Sequence, residues 1–151
     1  TVPRLADAFA AHPGGTTPAD YAARLRTLRF LPLRGFLKGF IDLVFQHEGR
    51  FYVVDYKSNH LGTDFANYDA PSMTHAMAHH DYFLQYHLYS VAVNRWLGRR
   101  LRGYDFEKHF GGVYYLFLRG MSADQPGRGV FFDRPPRARL EAISQALGGT
   151  R

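Results

Sequence analysis

Residues 35–57 constrain this chain more than any other stretch. They read Gly-Phe-Leu-Lys-Gly-Phe-Ile-Asp-Leu-Val-Phe, then Gln-His-Glu-Gly-Arg, then Phe-Tyr-Val-Val-Asp-Tyr-Lys. Both flanks, 35–45 and 51–57, alternate and are rich in Phe, Val, Ile and Tyr, the pattern of half-buried strands. Between them His47-Glu48-Gly49-Arg50 supplies a tight turn, with glycine where the backbone must turn left-handed. The stretch is therefore a β-hairpin, and its turn sets its register. A two-residue loop pairs His47 with Arg50, and a four-residue loop pairs Gln46 with Phe51. Either pairing places Asp42 opposite Asp55. Side chains alternate between faces, so Asp55 and Lys57 share one. Opposed residues on one face hold their Cβ atoms roughly 4.5–5.5 Å apart.

Two carboxylates at that separation repel and raise one another's pKa, a conflict that a cation between them removes. Hard divalent ions take oxygen ligands. Mg²⁺ in particular accepts one or two carboxylates and completes its octahedron with water and substrate phosphate. Asp42 and Asp55 meet that demand, and the backbone carbonyl of Tyr56 is a candidate third oxygen. A bound metal lowers the pKa of its water and stabilises charge on a phosphoryl oxygen. Lys57, on the same face, is placed to orient the attacking water or to neutralise the developing oxyanion. These parts describe metal-assisted phosphodiester hydrolysis. The residues alone also fit a plainer reading, a salt bridge between Asp55 and Lys57 at a sheet edge.

Elsewhere, residues 2–11 read as a short helix ended by His12-Pro13-Gly14-Gly15. Thr17 before Pro18 reads as the N-cap of a second helix, running to about Leu28 with Tyr21, Leu25 and Leu28 on one face. Residues 58–72 have loop composition. One long helix is expected over 72–97, with Leu84, Leu88 and Val91 as its apolar stripe and Gly98 as its stop. Arg99, Arg100 and Arg102 follow, suited either to the helix C-terminus or to phosphate. Gln85 and Tyr89, four apart, share a helical face. That pair suits binding of phosphate or a base, bracing of the active-site strand, or ordinary interfacial packing. Gly111-Gly112 opens a strand at 113–118 whose continuous apolar run reads as buried on both faces. Asp133, Pro135 and Pro136 start a final helix to about Leu147.

The chain has 151 residues, 46% of them apolar, enough for one domain with a real core. There is no cysteine, so disulfides, thiolate zinc sites and iron–sulfur clusters are excluded. That composition suits the cytosol. A formal charge of +6 suits a polyanion partner or a solvated basic surface. No segment approaches the length of a membrane span, and no phosphate-loop motif of an ATPase occurs. His75 and His79, with His80 adjacent, have zinc-ligand spacing but no third ligand, and read as a solvated helical face. Tyr52, Tyr56, Tyr82 and Tyr86 are core aromatics or platforms for single-stranded bases. Ser58 and Ser72 sit in no nucleophile-elbow context.

Four runs occur in order: 35–45 with Asp42; Asp55-Tyr56-Lys57-Ser58-Asn59; Gln85-Tyr86-His87-Leu88-Tyr89; and 109–120, His-Phe-Gly-Gly-Val-Tyr-Tyr-Leu-Phe-Leu-Arg-Gly. Together they resemble the RecB family of nuclease domains, the C-terminal part of the helicase–nuclease subunit of the bacterial RecBCD enzyme, or exodeoxyribonuclease V. The resemblance is strong over about residues 34–120. It implies an α/β, restriction-endonuclease-like core of the PD-(D/E)xK superfamily, a small central mixed sheet flanked by helices. It implies that Asp42 and Asp55 bind Mg²⁺, that Lys57 is catalytic, and that Gln85 and Tyr89 form the family's helical motif. The activity implied is cytoplasmic Mg²⁺-dependent DNA cleavage in double-strand-break repair by homologous recombination. The full enzyme couples it to ATP-driven unwinding, with RecC, RecD and RecA as partners. Arg34 and Lys38 would approach the DNA backbone. The lack of cysteine separates the chain from relatives such as AddB, which carry an iron–sulfur cluster.

The family also has a metal-ligating histidine and an acidic residue upstream of the hairpin, and nothing before Arg34 matches either. His12 has no comparable surroundings. The expectation is a single nuclease domain over 1–151, shortened at its N-terminus and part of a larger subunit, with weaker metal affinity than an intact domain. Two other functions stay open: docking of RecA or sister subunits, and DNA binding without cleavage.

Overall fold

The computed structural model of the chain describes residues 2–28 and 39–148. A four-stranded sheet in the order β1-β2-β3-β4 forms its centre. Strands β1 (Leu43–His47) and β2 (Arg50–Lys57) are the expected hairpin. Gln46 pairs with Phe51 and His47 with Arg50, leaving Glu48 (φ 47°) and Gly49 (φ 77°) as a two-residue turn with both central residues left-handed. β2 runs parallel to β3 (Phe110–Phe117), which runs antiparallel to β4 (Val130–Asp133). The sheet is therefore mixed, as the resemblance implies.

A parallel pair needs a long crossover. Here it runs through α3 (Ala70–His79), α4 (Tyr82–Arg100) and the short α5 (Phe106–His109). Helices α1 (Val2–Ala11) and α2 (Tyr21–Thr27) precede the sheet, and α6 (Arg137–Ala146) follows it. One sheet face, with Val53, Val113, Tyr115, Phe117 and Phe131, is buried against Phe83 and Tyr86 of α4. The other carries an aromatic ladder across all four strands. Phe45 stacks on Tyr52 at 5.0 Å, Tyr52 lies 5.8 Å from Tyr114, and Tyr114 lies 4.8 Å from Phe132. Tyr52 covers Gly111, the extra residue where the β2–β3 register shifts. A Cβ at Gly111 would overlap that ring, so the glycine pair lets the ladder lie flat.

Several sequence expectations are corrected. The long helix is two helices, broken at Asp81, which takes a left-handed φ of 56°. No Gly or Pro marks the break. Tertiary partners hold it: Arg24 Nε reaches Asp81 Oδ1 at 3.3 Å, and the Tyr21 hydroxyl reaches the same oxygen at 3.5 Å. Gly98 does not stop α4, which continues to Arg100. The expected loop 58–72 contains a 3₁₀ turn, Phe65–Tyr68, and the start of α3. α2 begins at Tyr21 rather than after Thr17. Thr17 instead accepts a hydrogen bond from Arg139 Nη1 at 2.8 Å. β3 is fully buried on one face only, because Tyr114 and Leu116 on its other face are partly exposed. The first strand begins at Leu43, and residues 35–38 of its expected span lie outside the described residues.

A buried polar network ties the N-terminal segment to the core. Arg139, 1% exposed, also donates from Nε to His12 O (2.7 Å) and from Nη2 to Gly14 O (2.9 Å). Its Nη1 lies 3.1 Å from His87 Nε2. Asp133, 3% exposed, accepts from the Tyr86 hydroxyl (2.6 Å) and Thr16 N (2.9 Å).

Candidate active site

The hairpin register carries Asp42 one step past the last ladder pair, Leu43–Val54, so it stands opposite Asp55. Its Oδ2 accepts the Tyr56 N–H at 2.9 Å. A strand residue in a hydrogen-bonded pair donates and accepts on one edge, so the Tyr56 carbonyl faces the Asp42 edge too. Asp55 and Lys57 point to the helix-covered face and are 5% and 8% exposed. Lys57 Nζ lies 2.6 Å from Asp55 Oδ2. Burial pushes the Asp55 carboxyl above the usual carboxylate range, and the neighbouring Asp42 charge adds to the rise. The Lys57 hydrogen bond and charge oppose it.

The α4 pair meets this hairpin. Gln85 Oε1 accepts from Lys57 Nζ at 3.0 Å and from the Tyr115 hydroxyl at 2.9 Å. Gln85 Nε2 donates to the Tyr89 hydroxyl at 3.1 Å. The Tyr89 phenol is also hydrogen-bonded by the Phe40 backbone. Burial, with smaller contributions from Asp55 and Asp42, raises its pKa. One helix thus touches both arms of the hairpin, β2 through Lys57 and the entry to β1 through Phe40. A Cβ on Gly39 would sit 2.9 Å from Tyr89 Cε1, so a glycine there lets the entering chain pass close to the ring.

The candidate metal ligands fit a cation that takes few protein ligands. Among the described residues no group of three or more His, Asp or Glu could hold a metal ion. Two adjacent carboxylates and a carbonyl suit a hard ion that keeps most of its shell for water and phosphate. His75 and His79 lie on α3 with rings 6.2 Å apart, and His80 is its C-cap. Arg34 and Lys38 lie outside the described residues. Of the tyrosines considered as base platforms, Tyr86 is fully buried and Tyr56 is 46% exposed.

The model of the PD-(D/E)XK nuclease superfamily matches residues 1–148. The chain belongs to that superfamily. It is similar to the RecBCD enzyme subunit RecB of Escherichia coli (strain K12), 49% identical over 81% of this chain and 10% of the relative. It is also similar to RecB of Haemophilus influenzae, 44% identical over 88% of this chain and 11% of the relative. RecB of Mycobacterium tuberculosis (strain ATCC 25618 / H37Rv) is 44% identical over 95% of this chain and 14% of the relative. The chain therefore spans about a tenth to a seventh of the length of these curated relatives. For a PD-(D/E)XK nuclease, the α/β core with its four-stranded mixed sheet is the expected fold. Asp42 and Asp55-Tyr56-Lys57 stand in the order that the superfamily's name spells. Among the described residues no helix is long and apolar enough to cross a membrane.

The sequence offers Tyr82 as a core aromatic or a base platform, and Tyr115 only as part of the buried strand run. Both rings flank the Lys57 ammonium, with centroids 3.8 and 4.8 Å from Nζ. The available signal was Tyr82 standing three residues before Gln85, on the same helical face.

Proposed function

We propose that this chain is the nuclease domain of a larger RecB-like helicase–nuclease subunit and hydrolyses DNA phosphodiester bonds with Mg²⁺. The observation that carries the reading is the convergence of Asp42, Asp55 and Lys57 at one edge of the hairpin, braced by Gln85. Asp42, Asp55 and the Tyr56 carbonyl would hold the ion. Bound there, it supplies Lewis-acid activation of water and neutralises charge on the phosphoryl group. Asp42 and Asp55 fix the ligand set. Lys57 orients the nucleophilic water and offsets negative charge as the phosphorus–oxygen bond is attacked. Arg34 and Lys38 steer the DNA backbone toward the site. The substrate is single-stranded DNA or unwound duplex ends. The setting is cytoplasmic double-strand-break repair by homologous recombination, in assembly with RecC- and RecD-like subunits and RecA.

The test compares Asp42→Asn, Asp55→Asn and Lys57→Ala in the intact enzyme, with cleavage read on linear single-stranded DNA with Mg²⁺ or with EDTA and unwinding read on linear duplex DNA with ATP and Mg²⁺. Cleavage should require Mg²⁺ and vanish in all three variants while unwinding persists. Normal cleavage by the variants would overturn the assignment.

A second reading, protein docking, is favoured by the open sheet face, where Leu43, Tyr56 and Phe132 are 41%, 46% and 42% exposed. Retention of RecA or a sister subunit by a chain that never degrades DNA would select it. Salt-sensitive binding without degradation would instead mark a DNA-binding module.

A further inference from the structure

We propose that Tyr82 is a positioning residue for the nuclease site, holding the Lys57 ammonium at a fixed point through the face of its ring. The inference rests on the reading of Lys57 as the catalytic lysine. An ammonium on a four-carbon stem has three rotatable donors and much rotamer freedom. Two of its contacts are directional, Asp55 Oδ2 at 2.6 Å and Gln85 Oε1 at 3.0 Å. These two contacts alone leave the other sides of the ammonium open. The Tyr82 ring lies 3.8 Å from Nζ and the Tyr115 ring 4.8 Å away, so two π-faces close the remaining sides. A cation over an aromatic face is held electrostatically, most strongly where water is excluded, and Lys57 is 8% exposed.

The Tyr82 ring is itself fixed. Its hydroxyl donates to Asn59 Oδ1 at 3.2 Å, in the segment leaving β2. The His80 imidazole stacks on it, 5.2 Å away with planes 21° apart. The backbone explains how it arrives there. Asp81 adopts φ 56°, a strained conformation for a residue with a Cβ. The turn it makes ends α3 and starts α4 at Tyr82. Tyr82 and Gln85 then stand three apart on one face, and both reach Lys57. A continuous helix over 72–97 would carry no such corner.

The experiment uses the intact enzyme on linear single-stranded DNA with Mg²⁺. Tyr82→Phe keeps the ring face and loses only the hydroxyl, and should retain cleavage within about threefold. Tyr82→Leu keeps bulk and loses the face, and should lower kcat by about 30-fold, the worth of a desolvated cation–π contact. KM for DNA should change little. A series of progressively fluorinated phenylalanines at position 82 keeps the shape while draining the ring quadrupole, so log kcat should fall steadily along it. The thermal midpoint of each variant reports folding independently. Equal kcat along the fluorinated series, or a Tyr82→Leu enzyme as fast as the parent, would overturn the inference. Lys57→Ala separates the two levels. If that variant still cleaves, the reading of the site fails. If it is dead while the ring series is flat, only the role of Tyr82 fails.

Discussion

Replacing Gln85 with leucine separates bracing of the hairpin from contact with nucleic acid. The amide accepts from Lys57 and Tyr115 and donates to Tyr89. Leucine keeps most of the volume and removes all three bonds. A hydrogen bond to a charged group contributes about 1.5–3 kcal/mol and a neutral one about 0.5–1.5 kcal/mol. Tyr115 is fully buried, so its hydroxyl would be stranded without water, a cost of about 1–3 kcal/mol. Overlap between these contributions leaves a net loss of about 3 kcal/mol, which in a chain of this size lowers the melting midpoint by about 10 °C. Urea denaturation without metal gives the first number, and a thermal melt the second. Cleavage measured below the midpoint should show a reduced kcat with KM for DNA nearly unchanged, because the amide acts through Lys57. A Gln85→Leu protein with parental stability and a raised KM would refute this reasoning and make the amide a DNA contact.

Two further outcomes concern the buried network. His87 is fully buried, its Nδ1 lies 2.6 Å from Phe83 O and its Nε2 faces the Arg139 guanidinium, so it holds a single Nδ1 proton and burial pushes its pKa down to about 3 from 6.5. Between those two values the unfolded chain binds a proton that the folded one refuses, so stability should fall with acidification by up to about 1.4 kcal/mol per pH unit. Urea midpoints across that window should record the slope, and His87→Gln should flatten it; equal slopes would show that another group dominates. Asp133→Leu strands the Thr16 N–H, leaves the Tyr86 hydroxyl only its long 3.4 Å contact with Thr17 Oγ1, and removes the nearby countercharge of Arg139. The expected cost is about 3–5 kcal/mol in chemical denaturation, and a loss under about 1 kcal/mol would argue that the network is incidental.

What could be read from the residues alone is what a few neighbours dictate. The hairpin was legible because alternation names the buried face and a two-residue turn permits one register, from which Asp42 opposite Asp55 follows. The shared helical face of Gln85 and Tyr89 was legible for the same reason, as a matter of spacing. The break at Asp81 was not: Asp favours N-caps and tolerates the left-handed region, but a lone Asp between periodic segments is too weak a signal to split a helix. It exists because Arg24 and Tyr21, far back in the chain, hold that carboxylate. β4 was likewise unforeseen, a four-residue strand among loop residues that earns its place by pairing with β3 and by ending in Asp133. The sequence by itself determined where Asp42, Asp55, Lys57, Gln85 and Tyr89 stand along the chain and which of them share a face of a strand or a helix. Only the tertiary structure decided that Tyr82, Tyr115 and Gln85 surround Lys57, because removing an ammonium from water is costly until several distant partners enclose it together.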